Sequence, residues 1–125
     1  MGQSQPFATR SILIVEDEAL LRFDLVDFFE AAGWRVFEAE HADQAIAILE
    51  RESAIRVVLT DVNMPGAMDG LKLAHVVRDR FPPTALFIVS GEQKLTDSDL
   101  PERASFLPKP FDPHRLLDAI ETASR

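Results

Sequence analysis

The chain has 125 residues, 46% of them apolar and 27% charged, which suits one globular domain with one core and excludes disordered and fibrous classes. It has no cysteine, so disulfides, thiolate zinc sites and cysteine nucleophiles are excluded, and a reducing compartment fits. A net charge of −8 argues against direct nucleic-acid binding, which needs cationic groups to neutralise phosphates.

Residues 1–9 lack a basic segment followed by an apolar one, so they do not read as a signal peptide. They read as a flexible tail, leaving 10–125 as the domain. No apolar run is long enough for a membrane span, and a cytoplasmic protein is expected. Short β-branched runs then alternate with longer amphipathic ones, the pattern of a parallel sheet with helical crossovers. Ser11 to Val15 is nearly continuous apolar sequence, as in a strand buried on both faces. A helix follows, with Asp17 as its N-cap, an inward stripe of Leu21, Leu25, Phe28, Phe29 and Ala32, and Gly33 as its stop. A second apolar stripe, Ala19, Phe23 and Val26, is expected to be covered by neighbouring helices, with a partner or dimer contact as the alternative.

Trp34 to Glu38 alternates like a strand towards an edge, and Asp43 to Glu50 continues as a helix with Ala45, Ile46 and Leu49 inward. Val57 to Thr60 is the third strand, with Asp61 at its carboxyl end. Pro65 and Gly66 make 62–69 a loop, and Gly70 to Phe81 forms the third helix, stopped by Pro82 and Pro83. Ala85 to Val89 is the fourth strand, ending at Ser90 and Gly91. A short fourth helix over Asp97 to Arg103 contains Pro101; a fifth strand, Ala104 to Leu107, and a last helix, Asp112 to Ala123, complete five strands and five helices. His41, His75 and His114 show no metal spacing and read as surface residues.

In an open α/β sheet, ligands bind beyond the carboxyl ends of the strands. Glu16, Asp17, Asp61, Ser90 and Lys109 all stand at such ends, so the fold gathers them around one rim. Two carboxylates about 5 Å apart repel by roughly 3 kcal/mol at an effective dielectric near 20. Three together need a proton, a lysine or a metal. An all-oxygen ligand set favours a hard cation such as Mg²⁺, which commonly binds a few carboxylates plus phosphate oxygens. An aspartate can attack phosphorus, and a metal and a lysine can offset the charge of the transferring group.

With these residues in place, the chain resembles the response regulator receiver domains of two-component signalling. The resemblance rests on Ile12 to Glu18, Thr60 to Gly66 with Asp69-Gly70, Val89 to Gly91, and Leu107 to Phe111, which occur in the family's order along nearly the whole chain. It implies a flavodoxin-like, doubly wound parallel sheet with strand order 2-1-3-4-5. It also implies that Asp61 is the phosphoacceptor, with Mg²⁺ bound by Asp17, Asp61, the backbone carbonyl of Asn63, and Glu16 directly or through water. Ser90 takes the place of the switch hydroxyl, Lys109 that of the phosphate-binding lysine, and the Lys109-Pro110 bond is expected to be cis, which proline permits. Asn63 and Glu92 are expected to tune the phosphoryl lifetime. A histidine kinase or a histidine phosphotransfer protein is the implied donor, contact beside the first helix is its expected place, and a downstream protein is the implied target. A stand-alone receiver is expected, with a fragment of a longer protein as the alternative.

The sequence departs from the family pattern in four places. Glu16 replaces the commoner aspartate, Phe106 stands where many members have a switch tyrosine, and Ala67 looks like a one-residue insertion. Ser90 and Lys109 are only 19 positions apart, a few fewer than usual, so the fourth helix is expected to be short. The chain is expected to catalyse only its own phosphorylation and dephosphorylation. An aspartyl-phosphate phosphatase is an alternative, weakened because Asn63 stands where such enzymes carry a second acid. A pseudo-receiver binding module that is never phosphorylated is another, for which the acids and Lys109 have little use.

Overall fold

The computed structural model describes residues 10–63, 69–91 and 96–123. Its elements in chain order are β1 (Ser11–Val15), α1 (Ala19–Ala31), β2 (Arg35–Ala39), α2 (Ala42–Arg51), β3 (Ile55–Asp61), α3 (Gly70–Arg80), β4 (Ala85–Ser90), a 3-10 turn (Asp97–Asp99), β5 (Ala104–Pro108) and α4 (Pro113–Ala123). The strands form one parallel, flavodoxin-like sheet in the order β2-β1-β3-β4-β5. Every residue of β1 is buried, whereas edge strand β2 buries only Ala39. That contrast follows from position, since a central parallel strand is covered by helices on both faces.

The two faces have separate cores. Leu25 and Phe29 of α1 and Leu116 and Ile120 of α4 pack on Ile12, Ile14, Val57, Leu59, Phe87 and Val89. Ala45, Ile48 and Leu49 of α2 and Leu73, Ala74 and Val77 of α3 cover Leu13, Val15, Val58, Leu86 and Ile88. Alternation along each strand thus supplies both cores at once. Gly33 has a φ of +93°, as its position just beyond α1 requires.

Several expectations are corrected. Among the described residues there are four α-helices rather than five, and the span expected to hold the fourth contains only the 3-10 turn Asp97–Asp99. Pro101 withholds a backbone donor there, and side chains of α3 take carbonyls that a helix would use. The His75 Nε2–H donates to the Asp99 carbonyl at 3.0 Å, and the Arg78 Nε–H to the Glu102 carbonyl at 2.7 Å. The N-cap of α1 is Glu18, not Asp17, and it makes no side-chain cap bond. The second stripe on α1 is covered only in part: Val26 is half-buried against the core under α1 and α4, whereas Ala19 and Phe23 are exposed, with Phe23 at 50% and Leu20 beside it at 77%. The remaining boundaries move by one or two residues, as with Trp34, which lies before β2 and is buried. The three histidines are exposed, as expected, and His41 caps α2 by accepting the Gln44 N–H at 3.2 Å. The expected tail at 1–9, most of the expected loop with Pro65, Gly66 and Ala67, and Glu92 lie outside the described residues.

The pair Asp69-Gly70 has a steric reason. Asp69 caps α3 by accepting the Lys72 N–H at 2.9 Å. A Cβ on Gly70 would sit 1.8 Å from the carbonyl oxygen of Asp61, so only glycine lets α3 begin against that peptide. Gly70→Ala should therefore destabilise the protein by about 2 kcal/mol or more and shift the Asp61 amide resonance. Urea denaturation and amide NMR check both effects; unchanged stability would contradict this close packing.

Candidate functional site

Parallel register brings the strand ends level. Val15 of β1 pairs with Thr60 of β3, Asp61 with Val89 of β4, and Ser90 with Pro108 of β5. Glu16, Asp61, Ser90 and Lys109 are therefore neighbours on one rim, although 93 positions separate the first from the last. The backbone continues this alignment beyond the ladders. The Glu16 N–H donates to the Ala39 carbonyl at 3.0 Å, the Val62 N–H to the Val89 carbonyl at 3.0 Å, and the Lys109 N–H to the Ser90 carbonyl at 2.9 Å.

Carboxylate oxygens of Glu16, Asp17 and Asp61 lie within 4.8 Å of one another. Glu16 and Asp61 are buried and Asp17 is exposed, so the cluster opens to solvent on the side of Asp17. Asp61 is oriented by the Asn63 N–H, which donates to Oδ1 at 2.9 Å, and by the Lys109 ammonium, which donates to Oδ2. Lys109 Nζ also lies 3.5 Å from Glu16 Oε1, and the Glu18 N–H donates to Glu16 Oε2 at 3.0 Å. The Lys109-Pro110 bond is cis, as expected.

These contacts divide the charge unequally. Burial pushes the Glu16 carboxyl up to about 7; the charge of Asp61 adds to this, and the Glu18 N–H and Lys109 oppose it. Burial acts to lower the Lys109 ammonium, but its hydrogen bond to Asp61 and the charges of Glu16 and Asp61 outweigh that and hold it above its ordinary value. The lysine is thus a fixed cation, and Glu16 is the group whose charge a bound cation would restore. Three carboxylates this close, all hard oxygen donors with one face open, suit Mg²⁺.

The structure brings together Glu16, Asp17, Asp61 and Lys109, with Asn63 touching Asp61 and Ser90 buried on the adjacent strand. Phe106 is half-buried on β5, pairs with Ile88 of β4 two residues before Ser90, and packs against the core beneath α2 and α3. The sequence reading missed Arg22. Its side chain is buried and donates through Nη1 to the Glu16 carbonyl at 2.9 Å and through Nε to Glu38 Oε1 at 2.9 Å. The available signal was its spacing: Arg22, Leu25 and Phe29 form the buried stripe of α1, and a cation on such a stripe needs partners. Beside Lys109, Leu21, Leu25 and Phe28 of α1 face Phe111 and Pro113 across a groove of about 520 Å³.

Residues 12–121 match the response regulator receiver domain. The chain is 36% identical over 112 residues to the response regulator protein FleR of Pseudomonas aeruginosa, covering 87% of this chain but only 23% of that protein's length. It is 34% identical over 117 residues to the response regulator receiver protein CpdR of Brucella abortus, covering 90% of this chain and 94% of CpdR. A solved response regulator receiver protein from Sinorhizobium medicae superposes with a TM-score of 0.85 at 29% identity, covering 92% of this chain and 94% of that one. No helix among the described residues is long and apolar enough to cross a membrane.

The raised Glu16 carboxyl has a pH signature in the metal-free protein. A group raised from 4.5 to about 7 contributes stability that is complete below pH 4.5 and lost as the pH passes 7. Removing that buried charge with Glu16→Gln should stabilise the metal-free protein at pH 8 by up to about 3 kcal/mol, with little difference at pH 4.5. Denaturation in chelator at both pH values checks this; parallel pH profiles for the two proteins would contradict the assignment.

Proposed function

We propose a function from one premise: the chain belongs to the response regulator receiver domain family. Asp61 accepts a phosphoryl group from the phosphohistidine of a histidine kinase or phosphotransfer protein, and its phosphorylated state changes the chain's contacts with a downstream protein. The observation that carries this reading is the convergence of three carboxylates and Lys109 at the carboxyl ends of β1, β3 and β5.

In the transfer, an Asp61 carboxylate oxygen attacks phosphorus and forms the new P–O bond. The P–N bond breaks, and the imidazole nitrogen leaves with the electron pair and is protonated by solvent. Asp17, Asp61, the Asn63 carbonyl, and Glu16 directly or through water would hold Mg²⁺, whose charge offsets that of the phosphoryl oxygens. Lys109 already contacts the attacking carboxylate and would pair with a phosphoryl oxygen as the aspartate becomes a mixed anhydride. Ser90 supplies a hydroxyl to the phosphoryl group, and Phe106 changes rotamer as Ser90 is drawn in, which shifts the surface at β5. The groove between α1 and Phe111 runs up to Lys109 and offers an apolar seat for the phosphodonor protein.

Hydrolysis of the acyl phosphate resets the molecule, so the chain catalyses only its own phosphorylation and dephosphorylation. Asn63 and Glu92 tune the lifetime. The Asn63 amide is far too weak an acid to protonate a leaving group, which argues against turnover of external phosphomonoesters.

Incubation with Mg²⁺ and acetyl phosphate should add one phosphoryl group, seen by intact-protein mass spectrometry, and Asp61→Asn should abolish the adduct. Lys109→Ala should slow the uptake by about 10²-fold or more. A wild-type chain that binds Mg²⁺ yet never gains the adduct, from this donor or a phosphohistidine protein, would overturn the reading. Repeated turnover of p-nitrophenyl phosphate would favour a phosphatase instead.

A further inference from the structure

We infer that Arg22 is a positioning residue for the cation site, fixing the peptide between Glu16 and Asp17 so that both carboxylates converge on Asp61. The inference rests on the reading above that this site binds a divalent cation. Arg22 is only 6% exposed, and a buried cation is retained only where its donors are satisfied. Its guanidinium fork meets two strand ends at once. Nη1–H donates to the Glu16 carbonyl at 2.9 Å, Nε–H donates to Glu38 Oε1 at 2.9 Å, and Nη2 lies 3.9 Å from Glu40 Oε1. The neighbouring Phe23 ring lies 5.1 Å from the guanidinium, which gives that half-exposed aromatic a role on α1.

The Glu16 acceptor decides the consequence. That carbonyl belongs to the peptide joining Glu16 to Asp17, two of the three clustered acids. A planar peptide held by its oxygen restrains the positions of the two Cα atoms from which these side chains leave the backbone. The Glu16 carboxylate is occupied by the Glu18 N–H and Lys109, so it is not the group that anchors this turn to β2. The anchors to β2 are the Glu16 N–H on the Ala39 carbonyl and Arg22 on Glu38. Arginine suits the task because its rigid fork reaches several acceptors together, whereas a lysine offers one point charge.

Outer groups that orient metal ligands typically change affinity by about 10- to 100-fold when removed. Titration of Mg²⁺ by calorimetry should show a dissociation constant about tenfold higher for Arg22→Met and at least about threefold higher for Arg22→Lys. In phosphoryl uptake, the Mg²⁺ concentration for half-maximal rate should rise in step, while the rate at saturating Mg²⁺ stays within about twofold. Ile120→Val, on the buried face of α4, should lower Tm without moving the Mg²⁺ constant, which separates positioning from general destabilisation. If Arg22→Met does not fold, Arg22→Lys carries the test. A folded Arg22→Lys with the wild-type constant, or an equal rise in Ile120→Val, would overturn the inference alone. A wild-type chain that binds no Mg²⁺ would instead overturn the functional reading beneath it.

Discussion

Carboxylate oxygens of Glu16, Asp17 and Asp61 lie within 4.8 Å of one another, and their mutual repulsion is what the surrounding structure is arranged to tolerate. At an effective dielectric near 20, each pair of charges at such a distance costs about 3 kcal/mol. Three features offset it. Lys109 donates to Asp61 and approaches Glu16, backbone N–H groups of Glu18 and Asn63 each donate to a carboxylate, and burial holds Glu16 partly protonated near neutral pH. None of these removes the negative charge entirely. In the proposed function, that residual charge draws a cation, and behind it an anionic phosphoryl group.

The sheet imposes the cluster. Parallel strands of matched register put their carboxyl ends at one rim, so residues far apart in sequence meet without any long loop. The burial of β1 and β3 on both faces prevents those ends from splaying apart under the repulsion. Gly70 adds a tight contact at the Asp61 carbonyl, and Arg22 adds a bond to the Glu16 carbonyl. Stability and site geometry are therefore coupled through backbone carbonyls, while the carboxylates themselves work against folding.

What was legible in the sequence was whatever depends on strand ends. Asp61 could be placed because a β-branched run followed by a polar residue marks the carboxyl end of a parallel strand, and Lys109 because it follows the short run Ala104 to Leu107 inside the Leu107 to Phe111 motif. The inward face of α4 was legible from the spacing of Leu116, Leu117 and Ile120, of which Leu116 and Ile120 are fully buried and Leu117 half-buried. What escaped depended on neighbours that local pattern does not name. Arg22 reads as a solvated charge until β2 is known to bring Glu38 and Glu40 to it. Asp17 has a good capping side chain, yet the chain path puts Glu18 at the cap and Asp17 at the rim. The segment before β5 was expected to be a short helix, and Asp97–Asp99 is a 3-10 turn, because His75 and Arg78 of α3 bind carbonyls further along it.

Clustered acids that form one cation site aimed at Asp61 should hold an ordered divalent ion. Anomalous diffraction from a crystal of the wild-type chain soaked in Mn²⁺, an oxygen-seeking stand-in for Mg²⁺, tests this most directly. A single strong peak is expected in contact with Asp17, Asp61 and the Asn63 carbonyl, with Glu16 beside it. The absence of a peak there at saturating Mn²⁺, or binding only at acids elsewhere on the surface, would contradict it.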